Sequence, residues 1–268
     1  MTALGKCLLK YIYDYQIQLN NGTSIWAPYI RNDIRVEAGD TIPRGLGKSS
    51  PEQIKIVAEY IASINPNFSG DEIRAALIRG DLPDKSMNYK GVDCSGFMYY
   101  VLKNTLSMMN GIDINSILFV SKSEVLNGAL NFEEWKAAHS LSDTEIKNLP
   151  EDVPLDWVVK TFKRKPENLC RAASFINPLV SIKIDFQSLR IGDLVFFRYE
   201  NTDIPHILII TELTKSKIVV FHSGRKTRNH IGGVEKIIIN VVDDRLEFDN
   251  AEISTIDYYR LKAFDALH

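Results

Sequence analysis

The chain has 268 residues, 45% of them hydrophobic and 25% charged, with a net charge of -2. This is an ordinary globular composition, enough for one large domain or two small ones. It carries no basic footprint for nucleic acid, no apolar run of the ~18 residues that a bilayer span needs, and three cysteines, an odd and sparse set that is no disulfide framework.

Lys10 and Asp14 interrupt the apolar stretch at the N-terminus, so no signal-peptide core forms. If the natural chain starts here, the expectation is a cytoplasmic protein or one exported by a non-classical route. Tyr11, Tyr13, Tyr15, Ile17 and Leu19 alternate with Ile12, Asp14, Gln16 and Gln18, which predicts a strand with one aromatic face. Asn20-Asn21-Gly22 reads as a turn, and Trp26 to Val36 continues in extended form. Residues 1–48 are set apart as an N-terminal segment whose role the sequence does not disclose.

Arg44-Gly45-Leu46-Gly47-Lys48-Ser49 invites a phosphate-loop reading, which fails because Ile42 stands where that motif needs its first glycine. The segment instead feeds a helix, with Ser50 as N-cap, Pro51 as first helical residue and Gln53 completing a capping box. Ser69 with Glu72 opens another helix, which Gly80 closes. From about Ile112 to Leu179 a helical, polar stretch is expected. Ser142 with Glu145 caps one helix there, Trp135, Trp157, Val158 and Phe162 face a core, and prolines divide the rest. His139 reads as a surface or capping histidine. After Leu189 strands follow at Leu194–Phe197, His206–Leu213, Lys217–His222, Val234–Val242 and Tyr258–Phe264. Helices first and strands afterwards predict an α+β fold.

The chemistry centres on Gly91-Val92-Asp93-Cys94-Ser95-Gly96-Phe97. Met98, Val101, Leu102 and Met109 recur at helical spacing behind it, so Cys94 falls at the first turn of a helix. Unpaired N–H groups and the helix dipole favour a thiolate there. A buried core cysteine is the plainer alternative. His206 opens one predicted strand and His222 closes the next. If hairpin partners sum to 428, the two lie opposite each other on one face. An odd loop, or a bulge restoring the register, would allow this. One imidazole could then take the thiol proton while the other orients it. Exposed strand-end histidines are the rival reading. A zinc site lacks metal-type spacing.

Asp93-Cys94-Ser95-Gly96-Phe97, Gly192-Asp193-Leu194-Val195-Phe196-Phe197, His206 and His222, in that order, resemble the NlpC family of papain-like bacterial cell-wall cysteine endopeptidases. The resemblance covers about Tyr89 to Met109 and Gln187 to Phe264. It implies a papain-like domain over 49–268, with the cysteine helix packed on an antiparallel sheet and residues 112–179 as a helical insertion. It implies Cys94 as nucleophile, His206 as general base and His222 as orienting residue. Asp93 and Ser95 would hold the amine end of a short peptide, and the Cys94 N–H would hold the oxyanion. No cofactor or metal is implied, and the expected partner is a peptide or peptidoglycan fragment. Asp93 should be engaged in hydrogen bonds that turn its charge from the thiol.

The chain departs from the family in its long insertion, in showing no secretion signal in this sequence, and in replacing the usual glycine-rich tyrosine segment by Leu82 to Tyr89. Tyr89 is the candidate for the missing tyrosine. The expected function is amide hydrolysis in short peptides. A thiol amidase or acyltransferase on another amide and an inactive binding module are the alternatives.

Overall fold

The computed structural model describes residues 1–30, 47–127, 142–199, 205–224, 232–243, 245–248 and 253–265. The expectations on Arg44–Leu46, on residues 31–36, on Trp135 and on His139 lie outside them.

The first element corrects the sequence reading. Residues expected to form an aromatic strand begin as a helix, α1 (Ala3–Tyr13), capped by the Thr2 hydroxyl, which accepts from the Gly5 N–H at 3.1 Å. Leu4, Leu8 and Ile12 are buried one above another along it. That four-residue spacing competes with the tyrosine alternation and wins, because it supplies the buried face, while Tyr13 stays exposed. Only the end of the predicted strand survives, as β1 (Gln16–Gln18) paired with β2 (Ser24–Trp26) around the left-handed Gly22.

The three capping boxes are present as read. They open α2 (Pro51–Ile64) at Ser50/Gln53, α3 (Gly70–Arg79) at Ser69/Glu72, and, further on, α6 (Asp143–Lys147) at Ser142/Glu145. Gly80 ends α3 in the left-handed conformation. The central helix is α4 (Cys94–Asn110), ended by left-handed Gly111. Phe97, Met98, Val101 and Leu102 on α4 share one core with Leu4, Leu8 and Ile12 of α1 and with Ile207, Ile209, Val219 and Phe221 of the sheet.

After α4 the described residues hold two short strands besides the expected helices. The elements are β3 (Phe119–Ser121), α5 (Lys122–Asn127), α6, β4 (Asp152–Pro154), α7 (Leu155–Phe162) and α8 (Ala172–Ile176), with β3 pairing antiparallel to β4. Val120, Val153, Val158, Phe162 and Phe175 are buried in the main core, while Trp157 remains partly exposed.

The rest is a curled antiparallel sheet, consistent with the α+β expectation. Its strands are β5 (Ser181–Ile184), β6 (Leu194–Tyr199), β7 (Pro205–Leu213), β8 (Lys217–Gly224), β9 (Gly233–Val242), β10 (Arg245–Glu247) and β11 (Ile253–Leu261), followed by a short helix α9 (Lys262–Asp265). Their spatial order is β10-β9-β8-β7-β6-β11-β5. β5 and β10 were not foreseen. The face toward α4 carries Phe196, Ile207, Ile209, Val219 and Phe221; the other face closes on a second core of Val195, Phe197, Leu208, Ile210, Ile218 and Val220.

The hairpin register differs from the expected one. Near the turn, Leu213 pairs with Ile218 and Glu212 with Val219, a sum of 431 that would send the two histidines to opposite faces. The ladder then shifts at Thr211, and Ile210 pairs with Val220 and Ile209 with Phe221, a sum of 430. The bulge restores an even register, so His206 and His222 share a face. They are diagonal neighbours rather than directly opposed.

Among the described residues, no helix is long and apolar enough to cross a membrane.

Candidate functional site

Cys94 is the first residue of α4, and Asp93 is the N-cap, its carboxylate accepting from the Gly96 N–H at 2.6 Å. The lead-in is fixed by backbone pairing. The Asp93 N–H donates to the Gly47 carbonyl at 2.8 Å and the Ser49 N–H to the Gly91 carbonyl at 3.2 Å. Gly96 allows this approach, since a Cβ there would lie 2.5 Å from the Gly47 oxygen. The Ser223 hydroxyl, next to His222 on β8, donates to the Val92 carbonyl at 2.6 Å. The N–H of Ile207, next to His206 on β7, interacts with the Cys94 sulfur. The start of α4 is thereby tied to both histidine strands.

His206 and His222 meet. Nε2 of His206 and Nδ1 of His222 are 2.5 Å apart, with the rings edge to face at 4.8 Å between centroids. Both side chains are buried. The Phe197 ring stacks edge-on to His206 at 5.1 Å. Beyond the pair, Glu235 faces His222 across the β8–β9 ladder, with Oε1 3.0 Å from His222 Nε2. The direction of that contact is off-axis for a hydrogen bond, so its character is electrostatic. Among the described residues no hydrogen bond joins the Cys94 thiol to either imidazole; in unliganded sites such bonds are often long and tighten with substrate.

Burial and the neighbouring Asp93 push the Cys94 thiol up to about 12, against which Lys48 and the Ile207 and Ser95 N–H groups act. Burial, and then repulsion from His222, hold His206 well below the usual imidazole range. Both effects favour uncharged forms, the thiol at Cys94 and the neutral imidazole at His206.

Two predicted substrate-binding residues sit elsewhere than expected. Asp93 and Ser95 are buried, and the amine they hold is the chain's own: Lys48 Nζ donates to Asp93 Oδ1 at 2.9 Å and to Ser95 Oγ at 2.5 Å. The side chain is too enclosed for the pair to reach a peptide as the site stands. Asp93 is engaged by the Gly96 N–H at 2.6 Å and by Lys48 at 2.9 Å, yet its charge still raises the Cys94 thiol pKa. Tyr89, in a left-handed conformation, lays its ring against Gly80 at the end of α3.

Sequence reasoning missed Lys48, Glu235 and Gly224. A Cβ on Gly224 would lie 2.3 Å from His222 Cε1 and 2.9 Å from its Nδ1, so the ring occupies space that only glycine leaves. Gly224→Ala should rotate the His222 ring away and break the imidazole pair, while the unfolding midpoint changes little because the clash is with a side chain. Imidazole nitrogen resonances would read this directly; unchanged His206 and His222 signals would refute it.

Among the described residues, no three His, Cys, Asp or Glu side chains gather in a way that could hold a metal ion. No model of a known protein family, no curated protein and no solved structure matches this chain.

Proposed function

We propose that the protein is a papain-like thiol hydrolase of NlpC type that cleaves amide bonds in short peptides, with stem peptides of bacterial peptidoglycan as the substrate class. The observation that carries this reading is the buried His206–His222 pair, set on the two strands to which the Cys94 end of α4 is tied.

The chemistry follows from the direction of the proton chain. Glu235 Oε1 lies 3.0 Å from His222 Nε2, and its negative charge favours the His222 tautomer with the proton on that nitrogen. His222 Nδ1 then accepts from the His206 Nε2–H, and the lone pair of His206 is left on Nδ1. That nitrogen takes the Cys94 proton as sulfur attacks the substrate carbonyl. The Cys94 N–H at the helix start stabilises the oxyanion. His206 returns the proton to the leaving amine, and water then releases the acid from the acyl-enzyme, His206 acting as base once more.

Digestion of purified muropeptides, followed by mass spectrometry, tests the reading. The expected products are two fragments whose masses together exceed the substrate by one water. Intact muropeptides alongside cleavage of an unrelated amide would remove the substrate class; no hydrolysis of either would remove the enzyme.

A further inference from the structure

Lys48 has no part in the proton chain, yet its side chain is almost wholly enclosed, at 1% exposure. Its three ammonium hydrogens meet three oxygens: Asp93 Oδ1 at 2.9 Å, Ser95 Oγ at 2.5 Å and the Cys170 carbonyl at 3.0 Å. Ser95 Oγ in turn lies 3.1 Å from Asp93 Oδ1. Three donors matched to three acceptors make a complete ammonium site. Burying a cation is costly and persists where partners compensate it. The partners come from both ends of the catalytic segment and from the region after α4, and Gly47, left-handed with its Cβ position 2.3 Å from the Ile30 oxygen, fits no other residue without strain.

We infer that Lys48 is a positioning residue for the nucleophile: its ammonium fills a built cation site under the start of α4 and balances the Asp93 carboxylate against which Cys94 must ionise. Without that ammonium, a buried carboxylate one residue from the sulfur opposes the thiolate alone. Among the described residues, the phenols of Tyr15 and Tyr100 lie near Asp93 and Lys48, and Glu167 and Arg171 act on Cys170. Asp93 and Lys48 face the thiol from the cap and from the segment beside it, His206 and His222 lie on β7 and β8, and Cys170 is itself a thiol that burial keeps protonated. The catalytic meaning of the inference rests on the proposed function; the ionisation of Cys94 does not.

The test is the pH dependence of Cys94 alkylation by iodoacetamide, followed on its own peptide, with buried Cys7 and Cys170 as internal references. In Lys48→Met the midpoint should move up and alkylation at pH 8 should fall about tenfold, one pH unit of thiolate. Lys48→Ala should show the same loss, and added propylammonium, which fits the vacated site, should restore the rate. If Lys48→Met does not fold, Lys48→Met with Asp93→Asn removes both charges while keeping an N-cap, and its midpoint should lie at or below that of the unaltered protein. An unshifted midpoint in folded Lys48→Met, or no recovery with propylammonium, overturns the inference. A midpoint in the double variant above the unaltered one also overturns it. A shifted profile in a protein that leaves muropeptides intact would leave Lys48 in this role and remove the proposed substrate.

Discussion

Cys94→Ala should abolish muropeptide hydrolysis, and His206→Ala should be as inactive, with kcat down by at least about 10³-fold, within the range for a lost general base. His222→Ala should cost less, about 10²-fold, because its ring orients His206 and does not touch the substrate. His222→Gln should retain more than His222→Ala, since an amide offers both an acceptor and a donor. The acid limb of the rate profile should lie below the ordinary imidazole pKa. The sign follows from the environment. Burial and His222 disfavour the protonated form of His206, so the base stays neutral to lower pH than a free histidine. The same shift makes the folded state less stable as pH falls below about 6.5, where the unfolded imidazole takes up a proton first. An acid limb above that value, or an active Cys94→Ala, would defeat the assignment.

Arg260→Met should lower the unfolding free energy by about 3–5 kcal/mol, the usual cost of leaving one member of a buried ion pair alone. Arg260 on β11 grips Asp193 with two parallel bonds, Nε to Oδ1 and an Nη to Oδ2, both 2.8 Å. The same guanidinium donates to the Ser188 carbonyl at 2.6 Å. Asp193 Oδ2 also accepts from the Arg190 N–H at 2.6 Å, closing the turn before β6. Both side chains are almost fully enclosed, at 7% and 2% exposure. Urea titration reads the loss, and Arg260→Lys should recover only part of it, because an ammonium cannot reproduce the fork. A change under about 1 kcal/mol would show that the pair is better solvated than it looks. The Gly-Asp that begins the resemblance block at Gly192 thus has a structural task, fixing the turn before β6 to β11.

What could be read in advance was local. A capping box involves only four residues, and those at Ser50, Ser69 and Ser142 form as their sequences predict. The α4 start and the long strands also follow from short-range patterns. At α1 two periods coexisted in the same residues, and only the tertiary core chose between them. The hairpin register depended on a bulge at Thr211, where no glycine or proline marks it. In the sequence Lys48 stands out only as part of an incomplete phosphate motif, because its partners lie 45, 47 and 122 residues away. Glu235 needed the β8–β9 register, and Gly224 needed the His222 rotamer.

Those long separations also bear on when the site comes into being. The Asp93 cap on α4 is a local bond and can form with the helix itself. The ammonium site cannot: it waits for the Gly47–Ser49 segment to dock and for the Cys170 segment to close over it, two loop closures with a real entropic cost. A nascent or partly refolded chain would therefore display a finished helix with an ordinary exposed cysteine at its tip. Whatever reactivity the ammonium site confers on Cys94 would arrive with the last piece of tertiary structure.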